Sequence, residues 1–198
     1  MPGAEGLAEP MRSRWSPSIF DAEHRLTGEQ IETLLQAARW APSYGNTQPW
    51  AFVVAERGSE SHRVLTAHLR PGNARWVPRA SVVFIAATQV AADPTGNDLK
   101  GAAYAHYDLG QAAAHLTLQA RAMGLHAHQF GGFDREAVAT ELGVPEWYAV
   151  MSGIAVGVRG NPEEVPERDR EREHRERRRK PLSEIAFGRA WGEPWRPA

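Results

Sequence analysis

The fold is decided by residues 27–55, with the sequence TGEQIETLLQAARWAPSYGNTQPWAFVVA. Thr27 and Gln30 have the Ser/Thr-x-x-Glu/Gln spacing of a capping box, in which two side chains satisfy free N–H groups at a helix start. Apolar residues follow at helical spacing until Pro42, which ends a helix because the residue before a proline avoids the α region. The closing run WAFVVA is aromatic and β-branched, as in a strand buried on both faces. This stretch therefore predicts a helix, a polar loop and a strand.

The remaining sequence continues this pattern in both directions. Apolar runs predict further strands at 81–87, 125–130 and 149–158. Helical spacing and terminal signals predict helices at 59–69, 101–124 and 134–142. Both element types occur in mixed order, which favours an α+β fold with a single layer of sheet covered by helices.

Composition excludes several classes of protein. The chain has 198 residues, 42% of them hydrophobic and 24% charged, as in one ordinary globular domain. It has no Cys, which excludes disulfides, a thiolate nucleophile and Cys-ligated metals. A net charge of −1 gives no general attraction to nucleic acid or anionic membranes. Because we find neither an apolar run of roughly 18 residues nor a signal peptide, we expect a cytoplasmic protein.

The two ends of the chain differ from its centre. Residues 1–13 mix Gly, Pro and charged residues without a period, which predicts a flexible N-terminal arm before a domain over residues 14–198. Residues 163–180 carry basic and acidic side chains that nearly alternate and then end in Arg177-Arg-Arg-Lys180. A solvated charged helix is one interpretation of this run. A nucleic-acid patch is the other, but the equal acidic load and the absence of interleaved aromatic residues argue against it.

Three short motifs carry groups that suit a ligand. Arg14 offers a planar fork and Ser16 a hydroxyl, both suited to phosphate oxygens. The loop after Pro42 supplies neutral amides and hydroxyls, which suit a heterocycle better than a charge. Gly131-Gly132 would let a backbone approach a flat ligand closely. Each motif also has a plain alternative, namely a solvated arginine, a polar turn and a tight turn.

Two histidines deserve a separate hypothesis. His126 and His128 lie two apart on a predicted strand, so they share one face and could ligate a metal. No carboxylate or third His lies at ligand spacing, so we expect no metal site and interpret both as packed or surface side chains.

Taken together, five motifs closely resemble the FMN-dependent nitroreductase family. They are RWSPSIFD at 14–21, APSYGNTQPW at 41–50, GNARW at 72–76, GGFD at 131–134 and RRRKPL at 177–182. The resemblance implies an α+β sandwich with a mixed or antiparallel sheet. It also implies an intertwined homodimer with FMN at the subunit interface, in which a C-terminal arm from about residue 163 wraps the partner.

The resemblance also implies a set of cofactor-binding residues. The phosphate would be held by Arg14, Trp15, Ser16, Arg177 and Arg179. The flavin ring would meet Ser18, Asn73, Gly131 and Gly132 in one subunit, and Pro42, Ser43 and Asn46 from the other.

Two departures from the family pattern bear on the flavin. Many members carry a cation where this chain has Ser18, and some carry one where it has Trp76. A positive charge there stabilises the reduced flavin anion. We therefore expect the bound flavin to have a lower reduction potential than in strong two-electron nitroreductases, unless Arg75 or Arg79 replaces the missing cations.

The activity implied by the resemblance is an FMN-dependent oxidoreductase. NADH or NADPH would pass hydride to the flavin, leave, and be replaced in the same pocket by a nitroaromatic or quinone, a ping-pong sequence. No catalytic side chain is identified, because the cofactor carries the chemistry. Two alternatives stay open: a flavin-dependent substrate oxidase or dehydrogenase that uses oxygen, and a non-catalytic FMN-binding protein.

Overall fold

The computed structural model describes residues 3–197, so the first two residues of the predicted arm and the last residue of the chain lie outside the described residues. Seven helices and four strands occur within this range. In chain order they are α1 (Glu9–Ser13), α2 (Gly28–Arg39), β1 (Trp50–Glu56), α3 (Glu60–Ala67), α4 (Pro71–Ala74), β2 (Val82–Gln89), α5 (Ala102–Ala122), β3 (His126–Phe130), α6 (Arg135–Glu141), β4 (Tyr148–Gly157) and α7 (Glu167–Glu173).

The four strands form one sheet in the order β1-β2-β4-β3, and every neighbouring pair is antiparallel. Ile85 of β2 lies at the centre of the sheet, opposite Val53 on one side and Gly153 on the other. The predicted α+β fold with a helix-covered sheet is therefore confirmed. The intertwined homodimer stays a prediction.

Alternate residues of the sheet point into two separate cores. Val82 and Phe84 pack with side chains of α2 and α5 on one face. Val83 and Ile85 pack with side chains of α3 and α6 on the other. Since successive strand residues face opposite sides, one short apolar run fills both cores.

The local signals at the start of α2 behave as predicted. The N–H of Thr27 donates to Gln30 Oε1 at 2.9 Å, and the N–H of Gln30 donates to Thr27 Oγ1 at 3.2 Å. Helix α2 ends at Arg39, three residues before Pro42. The capping box and the proline thus delimit this helix.

Two elements differ from the sequence prediction. Strand β1 was expected to be buried on both faces, but it is an edge strand whose only fully buried residue is Ala55. Residues Glu9–Ser13, within the predicted arm, form helix α1, where the Nε–H of Arg121 donates to Ser13 Oγ at 2.7 Å. Five residues are too few to display a helical period, so the sequence gives no signal for it.

The segment after α1 lies against the end of β4. The N–H of Asp21 donates to the carbonyl of Val158 at 3.0 Å, and the N–H of Gly160 donates to the carbonyl of Ile19 at 2.9 Å. A Cβ on Gly160 would lie 2.7 Å from the carbonyl oxygen of Phe20, so this approach requires glycine. The contact brings the N-terminal segment beside the chain that leads to α7.

Of the helices in the described part of the chain, none combines the length and the apolar character of a membrane span.

Candidate cofactor-binding site

A pocket of about 240 Å³ lies between the two ends of the chain. All five predicted phosphate-binding residues line it: Arg14, Trp15, Ser16, Arg177 and Arg179. The first three precede the sheet in sequence and the last two follow α7. The fold therefore brings both predicted arginine groups to one place.

Five arginines and two glutamates, Glu173 and Glu176, line the pocket, so positive charge predominates there. Arg177 Nη1 donates to the carbonyl of Arg14 at 2.7 Å, and Arg14 Nη1 donates to Ser16 Oγ at 3.3 Å. Burial lowers the pKa of Arg14, and the guanidiniums of Arg179 and Arg177 lower it further. Within residues 3–197, none of these three guanidiniums forms an ion pair with a carboxylate. Like charges this close favour binding of an anion.

The first residues of the pocket are fixed by side chains of other elements. The guanidinium of Arg159 lies over the Trp15 ring, 5.3 Å from its centroid. His126 meets the same ring edge-on, with 6.1 Å between centroids. The N–H of Ser18 donates to Glu173 Oε2 at 2.8 Å. Ser18 is buried and does not line the arginine pocket.

A chain of contacts connects this segment with the predicted ring contacts. His128 Nδ1 lies 2.8 Å from the carbonyl of Pro17, and because a carbonyl only accepts, this nitrogen donates. The Trp76 ring stacks on His128, and Trp76 Nε1 donates to Asn73 Oδ1 at 3.2 Å. Asn73 Nδ2 then donates to the carbonyl of Gly132 at 3.2 Å.

Gly131 and Gly132 belong to the predicted ring contacts together with Asn73. A Cβ on Gly132 would lie 2.6 Å from Asn73 Nδ2, so the close approach of that amide requires glycine. The exposed Gly131 lines a cavity of about 590 Å³ with Arg70, Phe133 and other residues. Bare backbone therefore borders a space large enough for part of a flat ligand.

The third predicted group, Pro42, Ser43 and Asn46, lies on the loop between α2 and β1. Ser43 Oγ accepts the N–H of Gln48 at 3.0 Å. Asn46 and Gln48 have φ of 58° and 49°, a left-handed conformation that costs a non-glycine residue about 1–3 kcal/mol. Within residues 3–197, no hydrogen bond joins this group to the arginine pocket or to Asn73.

The same loop is fixed to α5 by a buried carboxylate. The N–H of Tyr44 donates to Asp108 Oδ2 at 3.0 Å, and Asp108 is only 2% exposed. The Tyr44 ring stacks on Tyr104, also from α5, with 4.7 Å between centroids. These contacts hold the loop in one conformation despite its left-handed residues.

The two candidate replacement cations, Arg75 and Arg79, have partners within the chain. Trp76 is only 4% exposed and belongs to a core, not to an open pocket. Arg75 Nη2 lies 3.7 Å from Asp169 Oδ1, and Arg79 Nε donates to the carbonyl of Phe20 at 3.0 Å. These contacts do not favour replacement of the missing cations by either arginine.

The two histidines pack against aromatic rings. Burial lowers the pKa of both His126 and His128, which favours neutral imidazoles. No group of three or more His, Cys, Asp or Glu side chains in residues 3–197 is arranged to hold a metal ion.

Sequence reasoning missed two buried carboxylates, Glu173 and Asp108. Glu173 lies within a run of alternating charges, where no local signal separates it from its neighbours. Asp108 had a usable signal, because it lies on the buried side of an Ala-rich helix where a charge needs a partner.

The fold and this geometry define an α+β protein with an arginine-lined pocket between an N-terminal and a C-terminal segment. Comparison with known families then identifies it: the model of the Nitroreductase family matches residues 11–73 and 60–158. The chain belongs to the Nitroreductase family. This confirms the resemblance found in the sequence and the oxidoreductase class that it implies.

Individual relatives agree. The chain is 30% identical to Protein DrgA of Synechocystis sp. over 172 residues, 74% of this chain and 80% of that protein. It is 26% identical over 185 residues to an oxygen-insensitive NAD(P)H nitroreductase of Salmonella typhimurium, with 73% and 84% covered. A solved structure described as an oxidoreductase containing FMN superposes with a TM-score of 0.83 at 33% identity, covering 91% of this chain and 90% of that one.

Proposed function

We propose that this protein is an FMN-dependent NAD(P)H oxidoreductase that reduces a nitroaromatic or quinone substrate in the cytoplasm. The observation that carries the proposal is the meeting of Arg14, Arg177 and Arg179 at one pocket. Similarity to a structure described as containing FMN, and to an NAD(P)H nitroreductase, supports the choice of cofactor and donor.

The residues present fit FMN at both of its ends. A phosphate dianion suits a pocket of about 240 Å³ in which three guanidiniums repel one another. The flat ring suits the bare backbone at Gly131, which borders the cavity of about 590 Å³.

When bound, FMN supplies a ring that takes up hydride from a nicotinamide and passes two electrons to an acceptor. The arginines hold the phosphate, so the cofactor stays in place while donor and acceptor exchange. Asn73 is fixed by Trp76 and Gly132 and presents its amide at one orientation. The first transfer needs no acid or base from the protein, which agrees with a site made of amides, glycines and arginines.

We propose further that the active form is an intertwined homodimer with the cofactor between its subunits. Pro42, Ser43 and Asn46 would then reach the ring from the partner, since Asp108 holds their loop on α5 of its own chain. The arm from about residue 163 to 198 would cover the partner. Its exposed apolar side chains support this, because Trp191 is 90% exposed and such residues are seldom left in water together.

The test starts from the protein as purified. We expect a yellow protein that releases FMN on heating and loses its visible flavin absorption when mixed anaerobically with NADH or NADPH. Adding a nitroaromatic or quinone should restore the absorption. A colourless protein that does not quench the fluorescence of added FMN would contradict the proposal.

A second candidate is an oxidase that passes electrons from a bound substrate to oxygen. It is favoured by one observation, namely that neither Ser18 nor Trp76 supplies a cation, because a reduced flavin of lower potential gives its electrons to oxygen more readily. A flavoprotein that stays oxidised with both nicotinamides but consumes oxygen with another reductant would support it. Bound FMN with no reduction by any donor would indicate a binding protein without turnover.

A further inference from the structure

Helix α7 buries one carboxylate among exposed charges. Of the seven residues Glu167–Glu173, with the sequence ERDRERE, only Glu173 is buried, and its side chain is 1% exposed. Carboxylates are seldom buried without partners, because desolvation of the charge is costly. The position therefore requires an explanation that a solvated charged helix does not provide.

One oxygen of Glu173 bonds the segment that enters the arginine pocket, and the other lies near Arg159 without a hydrogen-bond partner among the described residues. Oε2 accepts the N–H of Ser18 at 2.8 Å, although the two residues are 155 positions apart. Oε1 lies 3.6 Å from Nε of Arg159, whose guanidinium covers the ring of Trp15. Burial raises the pKa of Glu173, while the Ser18 N–H and Arg159 oppose this shift. The carboxylate thus acts on the segment both directly and through Arg159.

The carboxylate has a counterpart four residues further along. Arg177 Nη1 donates to the carbonyl of Arg14 at 2.7 Å. Together with the bond from Ser18 to Glu173, this gives two hydrogen bonds that join the C-terminal segment to residues 14–18. The two points of contact are Ser18 and Arg14. Ser16 lies between these points, and both Arg14 and Ser16 line the pocket.

We propose that Glu173 is the positioning residue of the phosphate pocket, since its bond to the Ser18 N–H fixes where Arg14 and Ser16 meet Arg177 and Arg179. The inference rests on the proposed binding of FMN. Glu173 itself borders the pocket, and its charge alone would weaken the binding of a dianion, so in this role it acts by holding the Ser18 N–H and not by contacting the phosphate.

The test compares FMN with riboflavin, which has the same ring and no phosphate. Each affinity is measured by fluorescence quenching on the full chain freed of flavin. Glu173→Ala removes the acceptor and is expected to lower FMN affinity roughly tenfold, with riboflavin affinity nearly unchanged, because a hydrogen bond to a charged group is lost. Glu173→Gln keeps an acceptor for Ser18 and is expected to retain the preference for FMN.

A matched control comes from the same helix. Glu171 is exposed and does not line the pocket. Glu171→Ala removes an equal charge, so FMN affinity should stay close to that of the wild type.

The outcomes separate the two levels of inference. Wild-type protein that binds neither flavin contradicts the proposed function itself. Suppose that the wild type binds FMN. If Glu173→Ala still prefers FMN to riboflavin, or if it loses affinity for both ligands equally, the positioning role is wrong. Should Glu173→Ala fail to fold, a folded Glu173→Gln that has lost the preference overturns the proposal, and one that keeps it supports the proposal.

Discussion

Trp76 stacks on His128 with 4.2 Å between ring centroids and an angle of 21° between ring planes. Trp76 also holds Asn73, and His128 also holds Pro17. One aromatic pair therefore connects the segment that enters the arginine pocket with the predicted ring contacts. Both side chains pack against the core, so this connection is built into the fold.

The buried state of His128 predicts loss of stability on acidification. Burial lowers its pKa in the folded protein, whereas the unfolded chain has a pKa of about 6.5. The unfolded state then binds more protons as the pH falls below about 6.5, and the free energy of unfolding decreases. Urea denaturation between about pH 7.5 and pH 5.5 should show this decrease.

The variant His128→Gln isolates the contribution of this residue. Burial shifts the pKa of Glu173 upward, which opposes the trend, but Glu173 is present in both proteins and cancels in the comparison. The glutamine variant should lose less stability than wild type over the same range. Equal slopes for the two proteins would show that His128 does not titrate on unfolding.

Removing one guanidinium should weaken binding of the phosphate but not of the ring. Arg179 Nη1 otherwise donates only to the carbonyl of its neighbour Arg178, so Arg179→Gln disturbs little of the fold. We expect FMN affinity to fall about 10- to 100-fold, from the loss of one charged hydrogen bond. Fluorescence titration should show unchanged riboflavin affinity.

The neighbouring arginine provides the control. Arg178 Nε lies 3.5 Å from Glu176 Oε2, and Arg178 does not line the pocket. Arg178→Gln should therefore bind FMN nearly as wild type does. If Arg178→Gln and Arg179→Gln lose FMN affinity equally, the loss comes from the change in net charge and not from a contact of Arg179 with the phosphate.

The two adjacent glycines should tolerate alanine very differently. A Cβ on Gly132 would lie 2.6 Å from Asn73 Nδ2, within the packed contact with Trp76. Gly132→Ala is expected to cost about 1–3 kcal/mol, the usual penalty of overpacking. A Cβ on Gly131 would meet only Arg135 Nη2, at 3.3 Å, and this flexible side chain can move. Urea denaturation that ranks Gly131→Ala as the more damaging change would contradict this geometry.

A cation introduced at position 18 should raise the reduction potential of bound FMN. Arg75 and Arg79 are held by Asp169 and by the carbonyl of Phe20, so the wild type lacks a substitute. In Ser18→Arg, each 1 kcal/mol of added preference for the reduced flavin corresponds to about 20 mV in a two-electron couple. Potentiometric titration of the wild type, Ser18→Arg and Ser18→Gln measures this shift, because the glutamine variant lengthens the side chain without adding a charge. A shift no greater than that of the glutamine variant would remove the electrostatic explanation.

Local signals predicted most of the elements, because the physics of each is contained in a few residues. The capping box of Thr27, the proline at 42 and the left-handed Gly124 after α5 each mark a helix end. The order of the strands has no such local cause. Strand β1 has the apolar composition of a central strand, yet pairing with β2 alone leaves it at the edge.

The candidate site was predictable only where it follows a motif. Arg14, Ser16 and Arg179 belong to motifs whose order in the chain resembles a family, and the fold brings them to one pocket. The carboxylates that fix the site follow no motif. Glu173 differs from its acidic neighbours only in being buried, and tertiary packing alone determines that.

The pocket between the chain ends has a consequence for synthesis of the protein. The hydrogen bond between Arg177 and Arg14 spans 163 positions. A nascent chain on the ribosome thus lacks one side of the arginine pocket until Arg177 has been synthesised. Ligand stabilises only states that bind it, so a ligand of this pocket would give no protection to a chain that stops before Arg177.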